Sequence, residues 1–484
     1  MTKNDDLEAI RIFLRSLDPR ASSEANSPLP LGDLYAPSAH ANALDPNRPL
    51  VVGNRGVGKS VWSGVLADEV SRLSVADDYP KLRLNSMKVE LGFHQAAGKD
   101  EGVAPSPRLL ERLLRSGIDT YDIWNAVLFR AVSPFIGHNP HNKIIDTINW
   151  MSEEVEDAEE ILRSADKYFT ANGFTFVLVF DALDQLGKTW SEIQPLTEGI
   201  LRLALDMLGF RAMRAKVFMR TDQVKDPALF QFPDASKMRA GKVDLEWHAT
   251  ELYGLLYTLI NNSDEASGAF SRIVKEVVGR RASPEYLDDK DDQIAVFNAI
   301  AGEFMGSDRR RGRTYTWIID HLADAFGETT PRSFLIALQR AAQSRNRPVS
   351  TAIDYVGIRE GVQQASTVRV AQLQEDYPWI LQTLEDLAGL EVPCHQSQFI
   401  DRWRERKTVK VIKEITEKSK RPGPIELEHS FFSEEDALIE SLKTIGVVEE
   451  RSADKINMPD IFRVAAKIKR RGGVRPPVSG AKRG

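Results

Sequence analysis

Residues 51–60 read VVGNRGVGKS, two apolar residues running into a glycine-rich turn that closes on a lysine and a serine. Gly53-Asn54-Arg55-Gly56-Val57-Gly58-Lys59-Ser60 fits G-x-x-x-x-G-K-[ST], a pattern in which each residue type has a task. Glycines let consecutive N–H groups turn inward around phosphate oxygens, and the helix that follows, through Lys59, Ser60 and Val61, adds its positive N-terminal end. The lysine reaches the β- and γ-phosphates, and the serine hydroxyl ligates Mg²⁺. The pattern carries this meaning only after a buried strand and ahead of a helix. PLVV at 49–52 and the helical period of VWSGVLADEVSRL supply both. Gly53, Asn54, Arg55, Gly56, Val57, Gly58, Lys59, Ser60 and Val61 are therefore the candidate nucleotide-binding residues.

Working outward, KLRLNSMKVEL at 81–91 alternates like a strand, and residues 93–170 are mostly helical in pattern. Asn172 and Gly173 close the last of these helices. FTFVLVF at 174–180 is a continuous apolar run, the mark of a strand buried on both faces. A helix over 189–208, ended by Gly209, leads to AKVFM at 215–219, a further short buried strand. Strands separated by helices predict a parallel α/β sheet. From about residue 250 to 363 helical periods dominate. After Tyr377 come helical WILQTLEDLAGL, a basic stretch, SEEDALIESLKTIG, then VVEER and INMP about a turn. Three helices and a hairpin, in that order, predict a winged helix.

A chain of 484 residues exceeds the roughly 250 to 300 residues at which a single core stops growing, so more than one domain is expected. With 42% apolar and 28% charged residues, it has the composition of globular material. Cys394 is the one cysteine, so no internal disulfide is available and a reducing, cytoplasmic setting is expected. The longest apolar run, 174–180, is far short of the roughly 20 residues that span a bilayer, which predicts no membrane partner. The net charge of −6 is uneven. Arg402 to Arg421 carries +6 and Arg463 to Gly484 carries +8, leaving −20 for the rest, an asymmetry that suits a polyanion such as DNA.

A nucleotide-hydrolysing site of this kind also needs a carboxylate at the end of a neighbouring strand for Mg²⁺, and Phe176-Val177-Leu178-Val179-Phe180-Asp181 supplies one. Here VFDALDQL resembles the second acidic motif of AAA+ and STAND-type ATPases, above all the D-E-x-D form of origin-recognition-type initiators and the D-G-x-D-E of STAND switches. The resemblance covers about residues 49–260 and implies ATP and Mg²⁺ as ligands, with Ser60 and Asp181 on the metal. The departures from the pattern are specific. Ala182 stands where the initiator motif has the water-activating glutamate, and Gln185 where the STAND motif has its last acid, leaving Asp184 as the nearby candidate base. Asp184-Gln185-Leu186-Gly187 also reads as the D-x-x-G of a GTPase. MRTDQV, however, stands where guanine selection would need N-K-x-D, so ATP is preferred.

Position in the same resemblance makes Arg220 or Thr221, after AKVFM, the residue facing the γ-phosphate. It makes Arg332, in the first turn of a helix capped by Thr330 and opened by Pro331, a second sensor, since a cation there opposes the helix dipole. Arg239, or Arg309, Arg310, Arg311 and Arg313, would be arginine fingers in a homo-oligomer, the blander reading being solvated loops. The expected fold class is α/β: a parallel-sheet P-loop NTPase domain (49–250) behind an N-terminal helix and linker (1–48), a helical lid (251–370) and a C-terminal winged-helix-like domain (371–484). The expected function is an ATP-binding, slowly hydrolysing switch or loader that couples nucleotide state to DNA or an effector protein. DNA would be met through Arg402–Arg421 and Arg463–Gly484 by charge, because the third helix, from Ser433, opens on Glu434, Glu435 and Asp436. The alternatives are a non-hydrolysing ATP-binding scaffold, or an ATPase subunit of a multi-protein, antiphage-type system.

Overall fold

The apolar runs around 51, 178 and 217 have no polar face to offer water, and each becomes a strand covered on both sides. The computed structural model describes residues 3–19, 29–99, 101–279, 287, 289–419, 433–452 and 454–470. They divide into two compact units, one of residues 21–246 and one of residues 1–20 with 247–484.

The unit of residues 21–246 is built on five strands: β1 Leu50–Val52, β2 Met87–Phe93, β3 Thr175–Phe180, β4 Met213–Met219 and β5 Val243–Asp244. Their order is β2-β3-β4-β1-β5, and every neighbouring pair is parallel. The chain thus places β4 between the strand that feeds the glycine turn and the strand that ends in Asp181. Parallel pairing brings the carboxyl ends of all three to one edge. On one side of the sheet, Phe93, Trp124 and Phe180 meet edge to face, with Leu196 and Ile200 of the helix Trp190–Asp206 in the same core. Lys216 is the buried polar exception within β4. It is fully buried, and its Nζ donates to the carbonyls of Asp45 (2.7 Å), Arg48 (2.6 Å) and Asn42 (3.4 Å). The lysine pins the segment before β1 to the sheet, and burial pushes its pKa down to about 7.

Two local expectations change. The helix after the glycine turn ends at Ala67, and a second runs from Glu69 to Ser74, because Asp68 turns out of helical geometry and its carboxylate caps the Ser71 N–H at 2.7 Å. The strand expected from residue 81 begins only at Met87; Pro80–Leu82 and Leu84–Ser86 are single 3₁₀ turns joined by Arg83 in the left-handed region. Other readings hold to within a few residues. The helix Val155–Ala171 closes on Asn172 and Gly173, with the Phe174 N–H donating to the Phe169 carbonyl at 2.9 Å.

Among the described residues, the second unit is built of helices from Ala249 to Glu385, with an isolated bridge between Phe304 and Arg313. Its core runs from Leu252, Tyr253 and Phe297 through Ile358 and Val362 to Trp403 and Phe462. The N-terminal helix Lys3–Ser16 packs within this unit: Leu7, Ile10 and Leu14 join the same core. Its Asp6 holds Arg272 with oxygens 2.6 and 3.1 Å from the guanidinium, and Arg11 donates to the carbonyls of Ala352 (2.6 Å), Pro348 (3.0 Å) and Thr351 (3.1 Å). The last module has helices Gln396–Arg406, Thr408–Ser419 and Glu434–Thr444. Strands Glu449–Arg451 and Lys455–Asn457 follow, with Cys394–His395 completing an antiparallel sheet. The sequence predicts three helices before the hairpin, the first over WILQTLEDLAGL; that stretch is the short helix Ile380–Glu385, and the basic stretch forms two helices rather than one, broken where Lys407 takes φ 55°. Ser433 caps the third helix, its Oγ accepting the Asp436 N–H at 3.3 Å.

Candidate functional site

β1 ends at Val52 and the chain turns at once: Gly56 and Gly58 have φ of 87° and 102°, values a side chain would resist. Gly58 is the residue before the helix Lys59–Ala67, so the free N–H groups of that helix open onto the turn. The Lys59 ammonium folds back over the loop and donates to the carbonyls of Gly53 (2.7 Å) and Asn54 (3.0 Å). Desolvation pushes its pKa down to about 8, and four side chains act on it through space: Asp181, Asp222 and Asp184 raise it and Arg220 lowers it. The charges of two separate chain segments, 181–184 and 220–222, therefore converge on one lysine.

Asp181 is 4% exposed, just past β3, and its N–H donates to the Phe93 carbonyl at the end of β2 at 2.9 Å. One carboxylate oxygen accepts from Ser63 Oγ at 2.9 Å, and the same hydroxyl lies 3.3 Å from the Ser60 carbonyl. Ser63 is fully buried on the loop helix, one turn after Ser60, so the acid is tethered beside the first turn of that helix. Sequence reasoning passed over Ser63; the signal was its i+3 spacing from Ser60, which puts both on one helix face. It also passed over His40 and Trp62. The Trp62 indole N–H donates to His40 Nδ1 at 3.1 Å, which leaves Nε2 as the donor to the Glu246 carbonyl at 2.8 Å. This pair braces the back of the loop helix. His94, 1% exposed, follows the Phe93 carbonyl that receives Asp181.

Ala182, next to Asp181, has φ 56°, an unusual setting for a residue with a Cβ. A 3₁₀ turn, Leu183–Gln185, then carries Asp184 to an exposed position. Arg220 follows β4 directly and forms a two-pronged ion pair with Asp222 (Nε to Oδ1 3.0 Å, Nη2 to Oδ2 2.8 Å). Thr221 is the first residue of the short helix Thr221–Lys225. Asn54, Arg55 and Val61 are partly exposed and Val57 is buried. Arg239, in the helix Ala235–Ala240, sits over the Phe230 ring. In the other unit, Arg332 occupies the first turn of the helix Pro331–Ala342, whose cap is Thr330 with its Oγ1 3.2 Å from the Ser333 N–H.

The residues present fit a magnesium–nucleotide. The glycine turn and helix end form an anion cradle, and Ser60 and Asp181 offer one hydroxyl and one carboxylate. Among the described residues, no group of three or more His, Cys, Asp or Glu side chains is placed to hold a metal ion. A divalent ion held here would complete its shell with phosphate oxygens and water, the habit of Mg²⁺.

In the basic stretch of the last module, three of the seven cations among the described residues 402–419 face acids. Arg404 lies 3.4 Å from Glu435, Arg406 lies 3.7 Å from Asp386, and Lys413 pairs with Glu434. Trp403, within that stretch, is fully buried and donates its indole N–H to the Thr383 carbonyl at 3.1 Å. Lys420, Arg421 and the tail from residue 471 lie outside the described residues.

No family model and no curated protein matches the chain. Among solved structures, a Walker-type ATPase of Pyrococcus abyssi aligns with 90% of this chain and 97% of its own at 14% identity and a TM-score of 0.40. The ORC2 protein of Aeropyrum pernix, in its ADPNP–ADP complexes, aligns over 88% and 89% at 11% identity and 0.37. Cdc6p from Pyrobaculum aerophilum aligns over 86% of each at 12% identity and 0.26. No activity passes to this chain from likenesses of that size. Among the described residues, no helix is long and apolar enough to cross a membrane.

Proposed function

We propose that the chain binds ATP with Mg²⁺ at the Gly53–Ser60 turn and hydrolyses it slowly, as a switch that passes nucleotide state to DNA or a partner protein. The observation that carries this reading is the convergence of Lys59, Ser60 and Asp181, with Ser63 tying the acid to the lysine's own helix. The backbone N–H groups of residues 56–60 and the Lys59 ammonium would hold the β- and γ-phosphates; to do so Lys59 leaves the carbonyls of Gly53 and Asn54. Ser60 and Asp181 would hold Mg²⁺, which supplies charge neutralisation on the transferring phosphoryl group. Asp184 would take a proton from the attacking water. Its exposed seat and the absence of a glutamate at 182 are why hydrolysis is expected to be slow. Arg220 is the γ-phosphate sensor of this scheme: phosphate competes with Asp222 for its guanidinium, and Thr221 moves with it.

Ala182 also favours a second reading, a scaffold that binds ATP without turning it over. An effector protein or further copies of the chain would then read the bound state, as they would for a subunit of a defence system. The experiment is ATP hydrolysis by the purified full chain with Mg²⁺, with and without duplex DNA, beside Asp181→Asn. Turnover in the wild type that is abolished in the variant, together with weakened Mg²⁺-dependent ATP binding, supports hydrolysis. ATP binding with no turnover under any condition gives the scaffold, and no ATP binding at all removes both readings.

A further inference from the structure

Between the helices Lys290–Ala301 and Thr314–Leu322 the chain makes a narrow turn whose tip reads Gly306-Ser-Asp-Arg-Arg-Arg-Gly-Arg313. Its backbone is closed on itself. Phe304 and Arg313 form an antiparallel bridge, the Met305 N–H donates to the Gly312 carbonyl at 2.9 Å, and the Thr314 N–H to Glu303 at 3.0 Å. Asp308 caps the tip through the Arg310 N–H at 2.8 Å, Gly312 takes φ 89°, and the Arg311 stem lies over Gly306, where a Cβ would come within 3.0 Å of it. Met305, 1% exposed, anchors the turn in the core.

Arg309, Arg310, Arg311 and Arg313 are all exposed on this frame. Among the described residues none of the four guanidiniums has an ion-pair partner. This is the reverse of the 402–413 stretch, where three of the cations face acids. Four like charges held together on ordered backbone, in a chain of net charge −6, are uncompensated until an anion arrives. The tip is a 3₁₀ turn, with about three residues per turn, so Arg309, Arg310 and Arg311 leave roughly 120° apart. Side chains that diverge in this way do not converge on one phosphate, as a pocket for a free nucleotide would require; they suit several separate phosphates, such as a nucleic-acid backbone offers. Residues 306–313 include no apolar side chain, and a protein interface needs such an anchor at its centre. Bases find no free ring either, since Trp317 is stacked by His321 at 3.8 Å and abuts Gly312.

We infer that the Arg309–Arg313 turn binds the phosphate backbone of nucleic acid, without reading bases. It does so whether or not the chain hydrolyses ATP, so its test is independent of the nucleotide site. The test is fluorescence anisotropy of the full chain with a labelled duplex of about 30 base pairs, across a salt series, beside the triple variant R309A/R310A/R311A. Every phosphate that the turn no longer neutralises should make the log–log salt slope shallower by about 0.9, to a total near 2.7, and weaken two unrelated sequences equally. The triple Lys variant should keep most of the slope. Lys407→Ala with Lys410→Ala should change it by less than the turn does. Unaltered thermal melting and ATP affinity would show the fold intact; if the triple variant melts early, Arg310→Glu alone should still weaken binding severalfold. A triple variant with wild-type affinity and slope, or a wild type that retards no DNA at low salt, overturns the inference. So does displacement of the duplex by polyglutamate as readily as by unlabelled DNA, which would assign the turn to an acidic protein.

Discussion

The turn after β1 and the turn after β3 lie at the same edge of one sheet, yet they are finished differently. The first puts glycine at each positive φ, at Gly56 and Gly58, and turns its cation inward. The second puts alanine at φ 56° and leaves its candidate base, Asp184, exposed. A left-handed residue with a Cβ costs about 1–2 kcal/mol, which glycine avoids. In the proposed scheme, the turn that would hold phosphate is thus complete in its own chemistry, while the turn that would activate water has alanine at 182 and relies on an exposed Asp184. Binding and turnover should therefore respond separately to mutation.

The largest separation is expected at Asp184. General-base catalysis contributes about 10²- to 10⁴-fold, so Asp184→Asn should lower turnover by that order with ATP affinity unchanged, read by steady-state hydrolysis and calorimetry. A variant that turns over at the wild-type rate places the base elsewhere. Next comes Lys59→Ala. Charge-assisted hydrogen bonds contribute about 1.5–3 kcal/mol each, and two of them to phosphate correspond to an affinity loss of roughly 10²-fold or more in a chain that still melts normally. An unchanged affinity would mean that the glycine turn does not hold the phosphates.

The pH response of the first turn is smaller and has a definite sign. Lys59 has a folded pKa of about 8 against 10.5 in the unfolded chain, so the fold disfavours its charged form. The free chain keeps the ammonium below pH 8 and loses it above. ATP affinity should fall about tenfold between pH 7 and 9, as one pKa unit is 1.36 kcal/mol, and Lys59→Ala should show no such fall. The same shift makes the ATP-free chain gain stability as pH rises from 8 to 10.5. The smallest effect sharpens the comparison at its origin. Ala182→Gly relieves the left-handed strain and, after the extra entropy of glycine, should raise stability by under about 1 kcal/mol in urea unfolding. Gly58→Ala should destabilise the chain and weaken ATP binding; equal responses from the two would erase the distinction.

Much of this was legible from short stretches of sequence. The glycine turn, the apolar runs of β1, β3 and β4, and the caps at Asn172, Thr330 and Ser433 are each specified within a few residues, because backbone hydrogen bonding and φ preferences act over one turn of chain. β5 was not legible, since two residues carry no periodicity. Nor was the break at Asp68, where a single cap outweighed a helical apolar pattern spanning it. What only the tertiary structure decided are pairings across long separations. They are β4 lying between β1 and β3, Ser63 holding Asp181 across 118 residues, Arg272 holding Asp6 across 266, and the acids of one helix meeting the basic stretch of its neighbours. A count of charges along the chain cannot tell a cation that faces a carboxylate from one that faces water. That depends on which segments the folded core brings together, and it separates the basic stretch at 402–413 from the arginine turn at 309–313.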